Sequence, residues 1–185
     1  MNTPTSSPTL KQLWTRLAFF ISVVGALGSL YLSLEMGLKA CPLCFYQRAF
    51  IMAAAAVLGF GLFLPNLPSA ALSPLALASA VAGFGIALWH TYLDAIGVLE
   101  CPVGITGVLV APRESLLVFV LLVACLLVDL FHQRVYVVQG LGAVLLGVVF
   151  ASTCIRATPK PPEPQRPYRE DEKLDGCRKP YKAPA

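Results

Sequence analysis

The sequence predicts an all-α, polytopic membrane protein with a disordered C-terminal tail, and two observations support this fold class. Of the 185 residues, 57% are hydrophobic and only 13% are charged, a balance that argues against a soluble globular domain. Five apolar stretches are also long enough to cross the hydrocarbon of a bilayer, which takes about 20 helical residues. The lipid bilayer is therefore the predicted environment.

The five predicted helices follow directly from these stretches. They form a transmembrane domain over residues 1–155, with spans at about 13–34, 45–64, 70–96, 115–131 and 135–155. The connections 65-PNLPSAALSP-74 and 132-HQR-134 are short, so each predicts an antiparallel hairpin. Lys11 and Arg16 resemble the basic flank of a signal peptide, but Lys39 argues against cleavage within 38-LKAC-41. We therefore expect a retained first helix.

Residues 156–185 have a different composition from the rest of the chain. This tail holds eight of the fourteen Lys and Arg residues, is rich in proline, and has few large apolar side chains. Such a segment cannot offset its own chain entropy, so it is predicted to be flexible. No aqueous domain lies outside it and no nucleic-acid partner is expected. The chemistry must therefore lie in the membrane or at its edge.

The basic residues also predict an orientation. Lys11, Arg16 and Arg134 fall on the cytoplasmic side if the amino terminus is inside. The cysteines outside the spans or at a span end then face outward, into an oxidising compartment where disulfides persist; they are Cys41, Cys44, Cys101, Cys154 and Cys177. Cys125 lies within the fourth span and is read as a small apolar residue. Basic residues early in the tail, beginning with Arg156, conflict with this orientation.

The segment 41-CPLCFYQR-48 carries the chemistry that the sequence offers. A Cys-x-x-Cys pair is a redox centre or half of a metal site, and Pro42 restricts the backbone between its two cysteines. Arg48 follows Cys44 by four residues, which places both on one face of a helix. A positive charge at the membrane edge is costly, and it favours a nearby thiolate. Because no second Cys-x-x-Cys or His-x-x-x-His completes a zinc site, no metal is expected.

This motif, followed by a small-residue helix, resembles the bacterial disulfide bond formation protein B family, DsbB. The resemblance runs from the first span to about the fourth, and it includes His90 in 88-LWHTYL-93 and the following Cys101. It implies a four-helix bundle core, to which the fifth span is added.

The resemblance also implies an activity. Such an enzyme lies in the bacterial inner membrane and takes electrons from a periplasmic, DsbA-like thioredoxin-fold oxidase. It delivers them to the membrane quinone pool, as ubiquinone or menaquinone. By similarity, Cys41 and Cys44 form the redox pair that faces the quinone. Arg48 helps hold the quinone, and His90 supplies protons or contacts it.

The second outer loop departs from the family pattern. The family places two cysteines there, whereas 99-LECPVGITGVLVAPRES-115 has only Cys101. We hypothesise that Cys101 pairs with a tail cysteine, preferably the mobile Cys177. A Cys154–Cys177 bridge and a Cys101–Cys154 pair remain open alternatives.

Three other functions remain open. The outer cysteines suit a metal-handling membrane protein, which predicts bound copper or zinc in the reduced state. A protein similar to vitamin K epoxide reductase also couples thiols to quinones, but its Cys-x-x-Cys comes late in the bundle. The chain could also be a structural subunit whose cysteines form only stabilising disulfides, but this interpretation leaves Arg48 unexplained.

Overall fold

The computed structural model describes residues 8–64, 69–133, 137–164, 167–168 and 174–181, and its architecture is entirely helical apart from isolated β-bridges in that part of the chain. The five helices are α1 (Pro8–Leu34), α2 (Pro42–Phe63), α3 (Ser69–Ala95), α4 (Ala111–Gln133) and α5 (Val137–Ala157). Each contains a stretch of 20 to 24 residues that is long and apolar enough to cross a membrane. The predicted all-α, polytopic membrane fold is therefore confirmed.

The connection before α3 is shorter than the proline pattern predicts. The helix begins at Ser69, so Pro74 lies in its second turn rather than in the preceding loop. As the sixth residue of the helix, Pro74 cannot donate to the carbonyl four residues earlier, so it removes one intrahelical hydrogen bond near the helix start. The remainder of this connection and of the one before α5, residues 65–68 and 134–136, lies outside the described residues.

The first four helices form a closed bundle in which α1 and α3 each pack against both α2 and α4. Helix α5 packs on the outside of α3 and also touches α2. Small residues make this central position of α3 possible. Gly83 lies against the ring of Phe119 so closely that an added Cβ would overlap it, and the alanines around it are buried. Small residues between membrane helices allow such a close approach of the two backbones.

The two ends of the bundle carry different polar groups. At one end, the buried carboxylate of Asp129 accepts hydrogen bonds from Thr15 Oγ1 at 2.9 Å and Ser73 Oγ at 2.6 Å. These bonds join α4 to α1 and α3, and they satisfy a group that is expensive to bury in a membrane. The start of α2 and the loop between α3 and α4 lie at the opposite end, where the cysteines gather.

Residues 174–181, here called the C-terminal segment, pack over this cysteine end. Their backbone forms a parallel bridge between Gly176 and Lys39 and an antiparallel bridge between Arg178 and Glu100. The ammonium of Lys39 lies 2.7 Å from the carboxylate of Asp175. This contact raises the pKa of Lys39 and lowers that of Asp175. The loops before α2 and after α3 thus supply backbone partners for this segment, while the flexibility of the tail as a whole stays a prediction.

Candidate redox site

The Cys-x-x-Cys pair lies at the amino-terminal end of α2, where Cys41 is the N-cap and Pro42 the first helical residue. The Cys44 N–H donates to Cys41 Sγ at 3.3 Å, and the two sulfur atoms, both free thiols, are 3.1 Å apart. The Cys44 side chain, and then His90, lower the pKa of Cys41 against the opposing effect of burial. The positive end of the helix dipole also favours a thiolate at an N-cap. Cys41 is therefore poised as the nucleophile of the pair.

The second cysteine pair is a disulfide between Cys101 and Cys177, which are 76 residues apart in the chain. Cys101 follows α3 and is buried, whereas Cys177 is half-buried in the C-terminal segment. The two β-bridges of that segment hold the residues on either side of Cys177. Of the pairings left open by the sequence, the structure contains the one that was preferred.

His90 lies between these two cysteine pairs. Its ring is fully buried on α3, and Nε2 is 3.3 Å from the sulfur atoms of both Cys101 and Cys177. The same nitrogen is 3.8 Å from Cys41 Sγ, while Nδ1 is 4.0 Å from Cys44 Sγ. One imidazole therefore contacts all four sulfur atoms, and it lies between the Cys41–Cys44 pair and the Cys101–Cys177 disulfide.

Gln47 orients this ring, although the sequence analysis did not single it out. Its Nε2 lies 3.4 Å from His90 Nδ1, and its Oε1 accepts a hydrogen bond from Ser115 Oγ at 2.7 Å. Because an amide nitrogen only donates, Nδ1 accepts, and the proton of the neutral ring lies on Nε2, facing the sulfur atoms. A buried amide one turn after Cys44 in an apolar span is the signal that could have identified it.

A cavity of about 230 Å³ lies beside Cys44, the second cysteine of the Cys-x-x-Cys pair. Cys44, Gln47 and Arg48 line it from α2, facing mostly apolar residues of α1 and α4, and Glu114 and Ser115 add polar groups. An apolar lining with a few placed polar groups is typical of small-molecule sites. An engineered cavity of about 150 Å³ already holds a benzene ring, so this one has room for a substituted ring.

The guanidinium of Arg48 is fixed at the wall of this cavity. Its Nε donates to Ser29 Oγ at 2.9 Å, and its Nη2 donates to the Ser29 carbonyl at 2.7 Å and to Ser33 Oγ at 2.5 Å. Both serines belong to α1, one helical turn apart. The predicted placement of Arg48 and Cys44 on one helix face therefore brings both to the same cavity. His90 is not among the lining residues.

The remaining cysteines lie outside this arrangement. Cys154 is a half-buried free thiol that packs near Cys41 with Leu43 and Ala151, at the same end of the bundle. It bonds neither to Cys101 nor to Cys177, so both alternative pairings are absent, and the fold does not bring it into contact with the His90 ring. Cys125 is buried in the main hydrophobic core on α4, as expected of a small apolar residue.

Comparison with known proteins agrees with this geometry. The family model described as "Disulfide bond formation protein DsbB" matches residues 11–111, which include Cys41, Cys44, Arg48, His90 and Cys101 but not Cys177. No solved structure matches.

Two curated relatives carry a related name. The "Probable disulfide formation protein" of Chlamydia trachomatis serovar D is 30% identical over 122 residues, covering 60% of this chain and 87% of the relative. The protein of the same name from Chlamydia muridarum is 30% identical over 112 residues, covering 55% and 81%. The matched region spans most of the first three helices, the loops before α2 and after α3, and the Cys-x-x-Cys pair, and on that basis the chain belongs to the DsbB family of disulfide bond formation proteins.

Proposed function

We propose that this chain is a thiol:quinone oxidoreductase that reoxidises a DsbA-like thioredoxin-fold oxidase and passes the electrons to ubiquinone or menaquinone. One observation carries the proposal: the Cys41–Cys44 pair lies between the cavity and the ring of His90. Cys44 and the Arg48 guanidinium line one cavity, while Cys41 Sγ lies 3.8 Å from the ring nitrogen that contacts the Cys101–Cys177 disulfide.

Electrons would enter at the Cys101–Cys177 disulfide. Cys177 is the more accessible of its two sulfur atoms, since Cys101 is buried. A thiolate of the reduced partner attacks Cys177 Sγ, and the Cys101 thiolate leaves. The partner's second thiolate then attacks the mixed disulfide. The partner thereby becomes a disulfide, and Cys101 and Cys177 gain two electrons and two protons.

The second exchange passes these electrons to the α2 pair in its oxidised form. A Cys177 thiolate attacks Cys41 Sγ of the Cys41–Cys44 disulfide, and resolution by Cys101 leaves Cys101–Cys177 oxidised and both α2 cysteines reduced. Their sulfur atoms already lie around one ring: the Nε2–H of His90 can hold a proton beside the thiolate that leaves in each step. The structure corresponds to the product of this exchange, with one pair bonded and the other free.

The exit of the electrons would take place in the cavity beside Cys44. There the Cys41 and Cys44 thiols would form their disulfide again, and the two electrons and two protons they lose would pass to a bound quinone, which becomes a quinol. Arg48 supplies a fixed positive charge at the wall, where negative charge on a ring oxygen is stabilised without reorganisation. Its hydrogen bonds to Ser29 and Ser33 use Nε and Nη2, so Nη1 is the nitrogen best placed to serve a ligand. Gln47 keeps the His90 proton on the side of the sulfur atoms.

We place the protein in the bacterial inner membrane with the cysteine end facing the periplasm. Five spans put the start of α1 and the end of α5 on opposite sides, and a persistent disulfide requires an oxidising compartment. After mild reduction of intact spheroplasts, a membrane-impermeant maleimide should label Cys177. Labelling that appears only after lysis would reverse the orientation.

The direct test follows the quinone absorbance of purified protein mixed with a reduced thioredoxin-fold oxidase and a short-chain quinone. The wild-type protein and Cys125→Ser should both reduce the quinone, whereas Cys44→Ser should not. Quinone reduction by Cys44→Ser at the wild-type rate would remove the proposal. Circular dichroism of each variant shows whether the helices are retained.

A further inference from the structure

The fold completes a metal-ligand set that no local motif reveals. The Sγ atoms of Cys41, Cys44 and Cys177 and a ring nitrogen of His90 all lie within 4.8 Å of one another. In a tetrahedral zinc site, bonds of about 2.3 Å to sulfur place neighbouring sulfur atoms about 3.8 Å apart. For a sulfur and an imidazole nitrogen the corresponding separation is about 3.5 Å. The observed sulfur–sulfur separation is 3.1 Å for Cys41–Cys44, and the sulfur–nitrogen separations are 3.8 Å for Cys41–His90 and 3.3 Å for Cys177–His90. Shifts of about an ångström would close the site.

We propose that the fully reduced protein binds one thiophilic divalent cation, Zn²⁺ above all, through Cys41, Cys44, Cys177 and His90. Three thiolates and one imidazole are a ligand set typical of closed, four-coordinate zinc sites. Binding releases the protons of the thiols that are still protonated, Cys41 being already a thiolate, and no electron moves. Helix α2 supplies two ligands, α3 the third and the C-terminal segment the fourth.

The site depends on the redox state, because Cys177 is bonded to Cys101 in the oxidised protein. A dithiol donor reduces that disulfide to two thiols and is itself oxidised to a disulfide. Under the proposed function, on which this regulatory consequence alone rests, the reduced partner is that donor, and the reduced state accumulates when the quinone acceptor is scarce. Zinc would then hold the enzyme in its reduced form.

Three contacts keep Cys177 near the other ligands once its disulfide is reduced. The flanking residues Gly176 and Arg178 remain paired with the backbones of Lys39 and Glu100, and the Lys39–Asp175 ion pair holds the same segment.

Coordination of the metal through Nε2 of His90 also needs the ring proton on Nδ1. Turning the Gln47 amide over would offer its carbonyl oxygen to that proton, which is the usual outer-shell partner of a metal-bound histidine.

The two cysteines of the disulfide provide a matched pair of variants for the test. Cys177→Ser and Cys101→Ser remove the same cross-link, but only the first removes a ligand. The full chain in detergent, reduced with a phosphine and freed of metal, is titrated with Co²⁺, whose d–d and sulfur-to-metal absorption bands report tetrahedral thiolate ligation, and then with competing Zn²⁺. No quinone or partner is present, so the result is independent of the redox activity.

The reduced wild-type protein and Cys101→Ser should each bind one equivalent, as should Cys154→Ser. Cys177→Ser and His90→Ala each remove a direct ligand of the metal. Each should weaken metal binding by at least roughly 10- to 100-fold, because removal of an outer-shell partner alone has an effect of that size. The wild-type protein with the Cys101–Cys177 disulfide intact should bind Co²⁺ as weakly as Cys177→Ser, because both lack the Cys177 thiolate and keep Cys41, Cys44 and His90. Equal binding by Cys177→Ser and Cys101→Ser, or equally tight binding by the oxidised and reduced wild-type protein, would overturn the site. So would the absence of stoichiometric binding by the reduced wild-type protein.

Discussion

Replacement of Arg48 by methionine tests the assignment of the cavity beside Cys44. Methionine keeps much of the volume of the side chain but removes the charge and the donors that Ser29 and Ser33 hold in place. A hydrogen bond to a charged group contributes about 1.5–3 kcal/mol, which corresponds to a roughly 10- to 150-fold change in an equilibrium or rate ratio. We expect kcat/KM for the quinone to fall by that factor.

The assay varies the quinone at a saturating concentration of reduced partner, and then varies the partner at saturating quinone. Mainly the quinone dependence should change: Cys177 also lines the cavity, but the Arg48 guanidinium is bonded to Ser29 and Ser33 on α1 and not to the Cys101–Cys177 disulfide. Arg156→Met, which removes an exposed arginine from the last turn of α5, is the matched control and should behave as the wild type. Unaltered quinone kinetics in a folded Arg48→Met protein would refute the assignment.

Three further predictions concern proton transfer, the nucleophile and the packing. His90→Asn should slow thiol oxidation by about 100-fold or more, which is the range of general acid–base catalysis. The pH dependence of thiol oxidation should also become flatter in this variant. A pH dependence of wild-type shape would argue against a role of His90 in proton transfer. Because its lowered pKa keeps Cys41 a thiolate as the pH falls, its alkylation in the reduced protein should change little between pH 8 and 6, whereas a thiol with a pKa of about 8.5 slows roughly 75-fold. A similar slowing at Cys41 would contradict the N-cap argument. Gly83→Leu, which meets Phe119, should destabilise the bundle by about 1–3 kcal/mol in thermal unfolding, while Gly142→Leu, in open space, should not; equal melting temperatures would refute the packing.

The helices could be predicted from the sequence because a membrane imposes a length and an apolar composition on every span. The start of α2 could also be placed near Cys41, and the spacing of Cys44 and Arg48 placed both on one helix face. Both features are local, and local periodicity determines them.

The arrangement around His90 could not be derived in this way. It joins α2, α3, the loop after α3 and the C-terminal segment, and the contacts between Cys177 and the ring span 87 residues of sequence. The composition of the tail predicts flexibility because composition counts only the apolar surface the tail itself can bury. It misses the backbone partners that Lys39 and Glu100 provide. Gln47 was missed for a related reason, since its importance depends on a ring contributed by another helix.

The central claim is that electrons pass between two cysteine pairs gathered around one histidine, and peptide mapping under non-reducing conditions tests it most directly. In the oxidised wild-type protein, mass spectrometry should find the Cys101–Cys177 cross-link. In Cys44→Ser, the unopposed Cys41 thiolate should attack Cys177, so that a Cys41–Cys177 cross-link appears and Cys101 becomes free. Detection of Cys177 only as a free thiol in both proteins, or its capture by Cys154, would contradict the account.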